Sequence, residues 1–242
     1  MYEFLEACQP IIFESTDQNY PYWGRGSSLL VSNNSDFCYC VTAKHVFRNQ
    51  KATSEQLRIF PSVHSRVSLP FDEQVSIKFD ENHPEAFDDI LMLRIWMKDF
   101  DNSGDAPLVS QDIAGGCYPA TSLHAGSTLW IAGFPSQSRY IDYDEAKIST
   151  TRTLRKAAFV GPSIHSAHSY ELLVEEMNDL TDFDGLSGGP VYYLQEFLVN
   201  NVRCLKVLLA GLLTNGTASS RKMHFIDSSI IKEMVDIAQT TN

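Results

Sequence analysis

The sequence predicts an all-β protein that ends in one C-terminal α-helix, and three observations predict it. Runs rich in Val, Ile, Leu, Phe and Tyr recur along the whole chain: SSLLVSNN, FCYCVTAKHVF, LRIFPSV, EQVSIKF, DDILMLRIW, STLWIAGF, KAAFVGPSI, YELLVEE, GGPVYYL and LKVLLAGLLTNG. Clusters of Gly, Pro, Asn, Asp and Ser separate them, as in a sandwich or barrel of short strands. The regular alternation with helices that a parallel α/β fold requires is missing.

Taken in order, the chain opens with MYEFLEACQPIIFEST, where EFLEAC suits a short turn. This opening has no basic leader and no signal-like apolar run, and no run in the chain approaches the ~20 residues of a membrane span. The expectation is a cytoplasmic, reduced protein without membrane contact. Residues 98–116, KDFDNSGDAPLVSQDIAGG, carry no periodicity and read as a linker. The expected units are residues 1–105 and 106–242. Near the end, Ser228-Ser229 supplies a capping serine before IIKEMVDIAQ, with Ile230, Ile231, Met234, Val235 and Ile237 at helical spacing.

With 242 residues, 43% of them hydrophobic, the chain can bury a substantial core. Its net charge of −11 repels phosphate backbones and argues against nucleic acid as a partner. The five cysteines, Cys8, Cys38, Cys40, Cys117 and Cys204, form no regular framework. Cys38 and Cys40 share one face of a strand without further ligands at metal-binding spacing, so buried thiols are expected.

Three segments carry chemistry. In Gly185-Leu186-Ser187-Gly188-Gly189-Pro190 a serine sits among glycines. Glycine lets a substrate carbonyl approach the backbone closely, and the N–H groups of Gly185 and Ser187 are the natural donors to an oxyanion there. In VTAKHVF an apolar strand runs directly into His45. In FDDILMLRI, Asp89 stands at the entry of a buried strand and needs a partner. Its neighbour Asp88 should point to the opposite face.

Together these segments resemble the chymotrypsin-like serine peptidase family. VTAKHV is similar to that family's TA-x-H motif, DILML to D-I-A-L-L, and GLSGGP to G-D-S-G-G-P. Gly211–Gly216, GLLTNG, resembles the strand whose backbone pairs with substrate. The order His, Asp, Ser is also the family's. The resemblance implies two antiparallel six-stranded β-barrels, with His45 as general base and Asp89 as the group orienting it. Ser187 would be the nucleophile, with an oxyanion hole formed by Gly185 and Ser187. It further implies substrate contacts at Thr181, Thr214, Asn215 and Gly216, and a hydrogen bond from the Thr214 hydroxyl to Asp89. The expected partner is a protein or peptide substrate. No metal or other cofactor is expected.

Two departures stand out. Leu186 replaces the acid that secreted zymogens pair with a newly cut N-terminus, and Val46 follows His45 where the family has a disulfide cysteine. A regulatory protein partner would then restrain the enzyme. Thr181 occupies the position six before Ser187, at the base of the primary specificity pocket. Asp182, Asp184, Glu175, Glu176 and Asp179 lie close by, which makes a basic P1 preference conceivable, while Leu213 supplies no pocket histidine.

Other readings fit less well. The G-x-S-x-G elbow of α/β-hydrolases needs an acid and then a histidine after the serine. Only His224 follows Ser187, with no Asp between them. A catalytically silent trypsin-like scaffold or binding module is the main alternative. His165-x-x-His168 suggests a metal pair, but it reads as a loop without a third ligand.

Overall fold

The computed structural model describes residues 3–33, 37–60, 68–75, 85–96, 108–145, 147–164, 166–177 and 179–240. The first half contains β1 (Cys8–Pro10), β2 (Ile12–Glu14), β3 (Tyr22–Trp23), β4 (Ser27–Ser32), β5 (Phe37–Ala43), α1 (Lys44–Gln50), β6 (Leu57–Arg58), β7 (Glu73–Val75) and β8 (Ile90–Trp96). After β9 (Gln111–Asp112) come β10 (Thr128–Gly133), β11 (Arg139–Asp142), β12 (Lys147–Thr150), β13 (Thr153–Pro162), β14 (Ser169–Val174), β15 (Pro190–Val199), β16 (Val202–Thr217), β17 (Lys222–Asp227) and α2 (Ser228–Thr240).

The all-β, two-barrel architecture with a C-terminal helix is as predicted. The second barrel closes in the order β10-β13-β14-β17-β16-β15. Among the described residues the first is built from two sheets rather than one closed ladder. One runs β1-β4-β5-β8-β7; the other is β3-β2-β6. Phe13, Leu30, Cys40, Phe47, Leu57 and Leu93 fill the space between them.

β4 and β5 are buried on both faces, which explains their unbroken apolar runs. Leu30 and Cys40 face the first barrel's interior. Leu29, Val31, Tyr39 and Val41 face a second core shared with α2 and with Tyr192, Leu209 and Leu212 of the second barrel. Burying Ile230, Ile231, Met234 and Val235 of α2 in this layer contributes roughly 2 kcal/mol per side chain.

Three local expectations are corrected. The segment expected as a linker contributes β9, which pairs with β4 in parallel, and Ile113 N–H donates to the Ser32 carbonyl at 2.9 Å. The rest of that segment, with the 105/106 boundary, lies outside the described residues. The helix cap is Asp227 rather than a serine: Asp227 Oδ1 accepts the Ser229 N–H at 2.7 Å. The peptide after Ala43 does not stay extended. It turns at once into α1, so His45 is the second residue of a short helix.

All five cysteines are thiols. Burial pushes the Cys8, Cys38 and Cys40 thiols up to about 12. No helix among the described residues is long and apolar enough to cross a membrane. β15 and β16 extend past the barrel as a two-stranded ribbon, with Phe197, Leu198, Val199, Val202 and Leu205 exposed near its Asn200–Asn201 turn.

Candidate active site

The sequence places His45 and Asp89 forty-four residues apart, and antiparallel pairing of β5 with β8 brings them together. Ala43 lies opposite Ile90, so the residues just past one strand's end and just before the other's start are neighbours. Asp89 closes a 3-10 turn, Glu85–Asp89, rather than starting the strand itself. That turn, and not a strand's alternation, separates Asp88 from Asp89: Asp88 is exposed, and Asp89 reaches His45.

The pair is tightly defined. Asp89 Oδ2 lies 2.8 Å and Oδ1 3.1 Å from His45 Nδ1. Asp89 Oδ1 also accepts the His45 backbone N–H at 3.1 Å. An ionised carboxylate only accepts, so Nδ1 carries a proton toward it, and in the neutral imidazole the lone pair is then on Nε2. The imidazole is mostly covered, with 16% of the side chain exposed against 36% for Asp89.

Ser187 lies in a loop in which the carbonyls of Asp184, Gly185, Leu186 and Ser187 are all held. Asp184 C=O accepts from Ser136 N–H at 2.8 Å, and Leu186 C=O from Gly189 N–H at 2.9 Å. Gly185 C=O accepts from the Ser27 hydroxyl at 2.7 Å, and Ser187 C=O from Ser27 N–H at 2.8 Å. The N–H groups of Leu186, Gly188 and Gly189 are also engaged, by Phe183, Leu213 and Leu186 carbonyls. Those of Gly185 and Ser187 have no acceptor among the described residues. Gly185 at φ +90° and Gly188 at φ +84° adopt conformations that side chains resist. A Cβ at Gly188 would lie 2.0 Å from the Ser27 carbonyl oxygen, and one at Gly185 would lie 2.4 Å from the Phe134 carbonyl oxygen. Gly188 therefore serves close backbone packing between the two halves, and Gly185 close packing within the second half, a reason not visible in the sequence.

The Ser187 hydroxyl donates to the Thr214 carbonyl. No hydrogen bond joins it to His45 among the described residues. Thr214 itself corrects an expectation: its hydroxyl donates to the His224 carbonyl at 3.3 Å, not to Asp89. The cause is a bulge. Leu213 pairs with Phe225 and Gly216 with Met223, so Thr214 and Asn215 together oppose His224. Thr214 is buried there, while Asn215 and Gly216 are exposed at the rim. Phe183 Cδ2 and Met223 Cγ lie against Gly216.

Thr181 is exposed, and its N–H and hydroxyl both donate to Gln137 Oε1, at 3.0 and 2.6 Å. The nearby acids are largely engaged. Asp184 pairs with Arg25 at 2.8 Å, Glu175 with Lys156 at 2.8 Å, and Asp179 with Arg155. Asp182 Oδ1 accepts the Asp184 N–H. Leu186 is fully buried in the second barrel's core. His165 lies outside the described residues, and His168 is exposed at φ +60°. Among the described residues no three His, Cys, Asp or Glu side chains gather as metal ligands would.

Sequence reasoning missed Ser27 and Arg139. Ser27 is fully buried and bonded to both flanks of the loop. Arg139, on β11, donates to the carbonyls of Ile11 at 2.8 Å, Gly24, and Gly26 at 3.2 Å. Burial lowers its guanidinium to about 10, against the upward pull of Asp184, so it remains charged at neutral pH. The only sequence signal was Gly24-Arg25-Gly26-Ser27, which reads simply as a strand entry.

No known family description matches the chain, and no curated protein does. Solved structures do. An atomic-resolution structure of heparin binding protein matches at TM-score 0.58 and 10% identity, over 99% of this chain and 94% of that one. A doubly substituted form of the human protein matches at 0.57 and 12%, with the same coverage. Human heparin binding protein itself matches at 0.54 and 12%, over 98% and 92%. Identity this low shows the fold, and the chain is accordingly built on the two-barrel scaffold of the trypsin-like proteins.

Proposed function

We propose that this protein is a serine endopeptidase using His45, Asp89 and Ser187. The observation that carries the reading is the Asp184–Ser187 segment, in which all four carbonyls are held while, among the described residues, the Gly185 and Ser187 N–H groups have no acceptor. The His45–Asp89 pair supports it by leaving Nε2 as a base.

In the proposed cycle the Ser187 hydroxyl leaves the Thr214 carbonyl and turns to His45. As Oγ attacks the scissile carbonyl carbon, its proton passes to Nε2, and Asp89 stabilises the resulting imidazolium. The carbonyl π pair moves to oxygen, where the N–H groups of Gly185 and Ser187 would receive it. Collapse breaks the C–N bond, and Nε2–H protonates the leaving amine. Water then repeats the sequence on the ester, freeing the acid and restoring Ser187.

Substrate backbone would lie along Thr214, Asn215 and Gly216. Because Thr181 is uncharged and Asp184, Asp179 and Glu175 are paired with cations, an uncharged P1 residue is favoured over a basic one. Cytoplasmic residence and a restraining protein partner belong to the same proposal. It requires that the purified chain cleave casein slowly when alone; rapid unaided cleavage overturns the restraint.

One observation favours a second reading, a silent scaffold: the Ser187 hydroxyl rests on Thr214 rather than on His45. The structural neighbours are likewise named for binding heparin. Heparin itself suits this chain poorly, since a net charge of −11 repels a polyanion. Incubation with a peptide library, read by mass spectrometry, separates the two. New termini formed by the wild type and absent with Ser187→Ala support a peptidase, whereas identical patterns support the scaffold.

A further inference from the structure

We propose that Ser27 is a positioning residue for the nucleophile loop, with Arg139 as its anchor, and that this fixed strut orders the oxyanion donors; the inference rests on the peptidase reading. Four hydrogen bonds converge on Ser27, which has no exposed surface. Its N–H donates to Ser187 C=O at 2.8 Å, and its hydroxyl donates to Gly185 C=O at 2.7 Å. The same hydroxyl accepts the Phe134 N–H at 2.8 Å, and its carbonyl accepts the Thr42 hydroxyl at 2.7 Å.

The geometry matters because a peptide unit is planar. Fixing the Gly185 and Ser187 carbonyls fixes the peptides on both sides of Leu186-Ser187. The peptide between them carries the Ser187 N–H, and its own carbonyl, Leu186 C=O, is held by Gly189 N–H at 2.9 Å, so with both flanks fixed that N–H points in one direction. Gly185 is held likewise, between Ser136 on its N-terminal side and the Ser27 hydroxyl on its C-terminal side. One hydroxyl from the first barrel thus holds the peptide that links the two donor peptides of the second.

Ser27 must itself be immobile to do this. The run entering it, Gly24-Arg25-Gly26, is clamped from two directions. Arg139 holds the carbonyls of Gly24 and Gly26 from β11, which pairs with β12 beside the second barrel. Gln50 of α1 accepts the Arg25 N–H at 2.8 Å and donates to the Arg25 carbonyl at 2.7 Å. The Arg25–Asp184 ion pair closes the loop on the outside. Leu186, apolar and buried, offers no charge for ordering the loop by a new ion pair, so the strut is the ordering element.

The test is acylation by a peptidyl fluorophosphonate, with the maximal rate and half-saturating concentration measured separately. Ser27→Ala is compared with the wild type and with Asp227→Ala, a destabilised variant at the start of α2 whose side chain bonds to Ala120 and Ser229 and not to the loop. Ser27→Ala is expected to lower the maximal rate on the order of 10²-fold, the scale set by small misplacement of catalytic groups. Its half-saturating concentration should not change. A peptide boronate, which uses the oxyanion donors, should lose affinity in parallel, and Asp227→Ala should keep both values. Wild-type kinetics in folded Ser27→Ala overturn the positioning role alone. Equal rate losses in Ser27→Ala and Asp227→Ala also overturn it, in favour of general destabilisation. Should Ser27→Ala not fold, Arg139→Lys carries the same test, and its unchanged kinetics would overturn the proposal. A wild-type chain that takes no label overturns the peptidase reading and this inference with it.

Discussion

Replacing Asp89 with Asn tests the His45–Asp89 geometry with little change of volume. The carboxylate receives His45 Nδ1 at 2.8 and 3.1 Å and the His45 backbone N–H at 3.1 Å. An amide has one oxygen. If that oxygen keeps the backbone N–H, its NH2 group faces Nδ1, and the imidazole must move its proton to Nε2. The base is then lost before the reaction begins. The carboxylate's charge is lost as well. At a separation of about 4 Å and an effective dielectric near 20, a carboxylate stabilises an imidazolium by up to about 4 kcal/mol. With 36% of the Asp89 side chain exposed, water trims that figure. Charge and tautomer together predict a fall of roughly 10³- to 10⁴-fold in acylation rate. The assay is single-turnover release of p-nitrophenol from an activated ester at neutral pH, with folding checked by circular dichroism. Asp88→Asn is the control and should leave the rate unchanged. A folded Asp89→Asn variant within tenfold of the wild type refutes the reasoning, and so does an Asp88→Asn variant that loses activity instead.

Two further predictions concern the scaffold. Asp227 Oδ1 caps α2, and its Oδ2 accepts the buried Ala120 N–H at 2.7 Å. Asp227→Ala should therefore cost about 2–4 kcal/mol in urea unfolding, combining a lost cap with an orphaned donor; a loss below about 0.5 kcal/mol would contradict it. Burial holds Cys8, Cys38 and Cys40 near 12 and Cys117 near 11, all above the ordinary 9.0. In the folded chain at pH 8 a disulfide reagent should react rapidly with Cys204 only, and with all five thiols after denaturation. Because these folded values are raised, the stability they confer is complete below pH 9 and lost as pH climbs toward 12. An unfolding midpoint that rises over that interval would contradict the sign.

The candidate site was legible in the sequence because each residue of the proposed triad lies beside a strong local signal. Glycines flank Ser187, a strand runs into His45, and an apolar run follows Asp89. The all-β reading followed from strands bounded by turn residues, and the two barrels from the family resemblance. What stayed hidden depends on distant partners. KHVFRNQ is seven residues long and follows a strand, too short for helical periodicity to announce α1. The Thr214 hydroxyl points to His224 because a bulge places two residues opposite one, and register shifts leave no mark in composition. β9 is two residues in a polar stretch, recruited by an edge it could not announce. Ser27 is the clearest case: its side chain acts on Gly185, 158 residues away. Nothing in Ser27-Ser28-Leu29-Leu30 distinguishes it from an ordinary strand entry.

The central claim, that Ser187 is a nucleophile activated by His45, is tested most directly by fluorophosphonate labelling of the purified chain, read as intact mass and peptide map. The account predicts one adduct per chain, located on Ser187. It also predicts that the adduct is absent from Ser187→Ala and strongly slowed in His45→Ala. A folded chain that takes no label, or one labelled equally after Ser187→Ala, would contradict it.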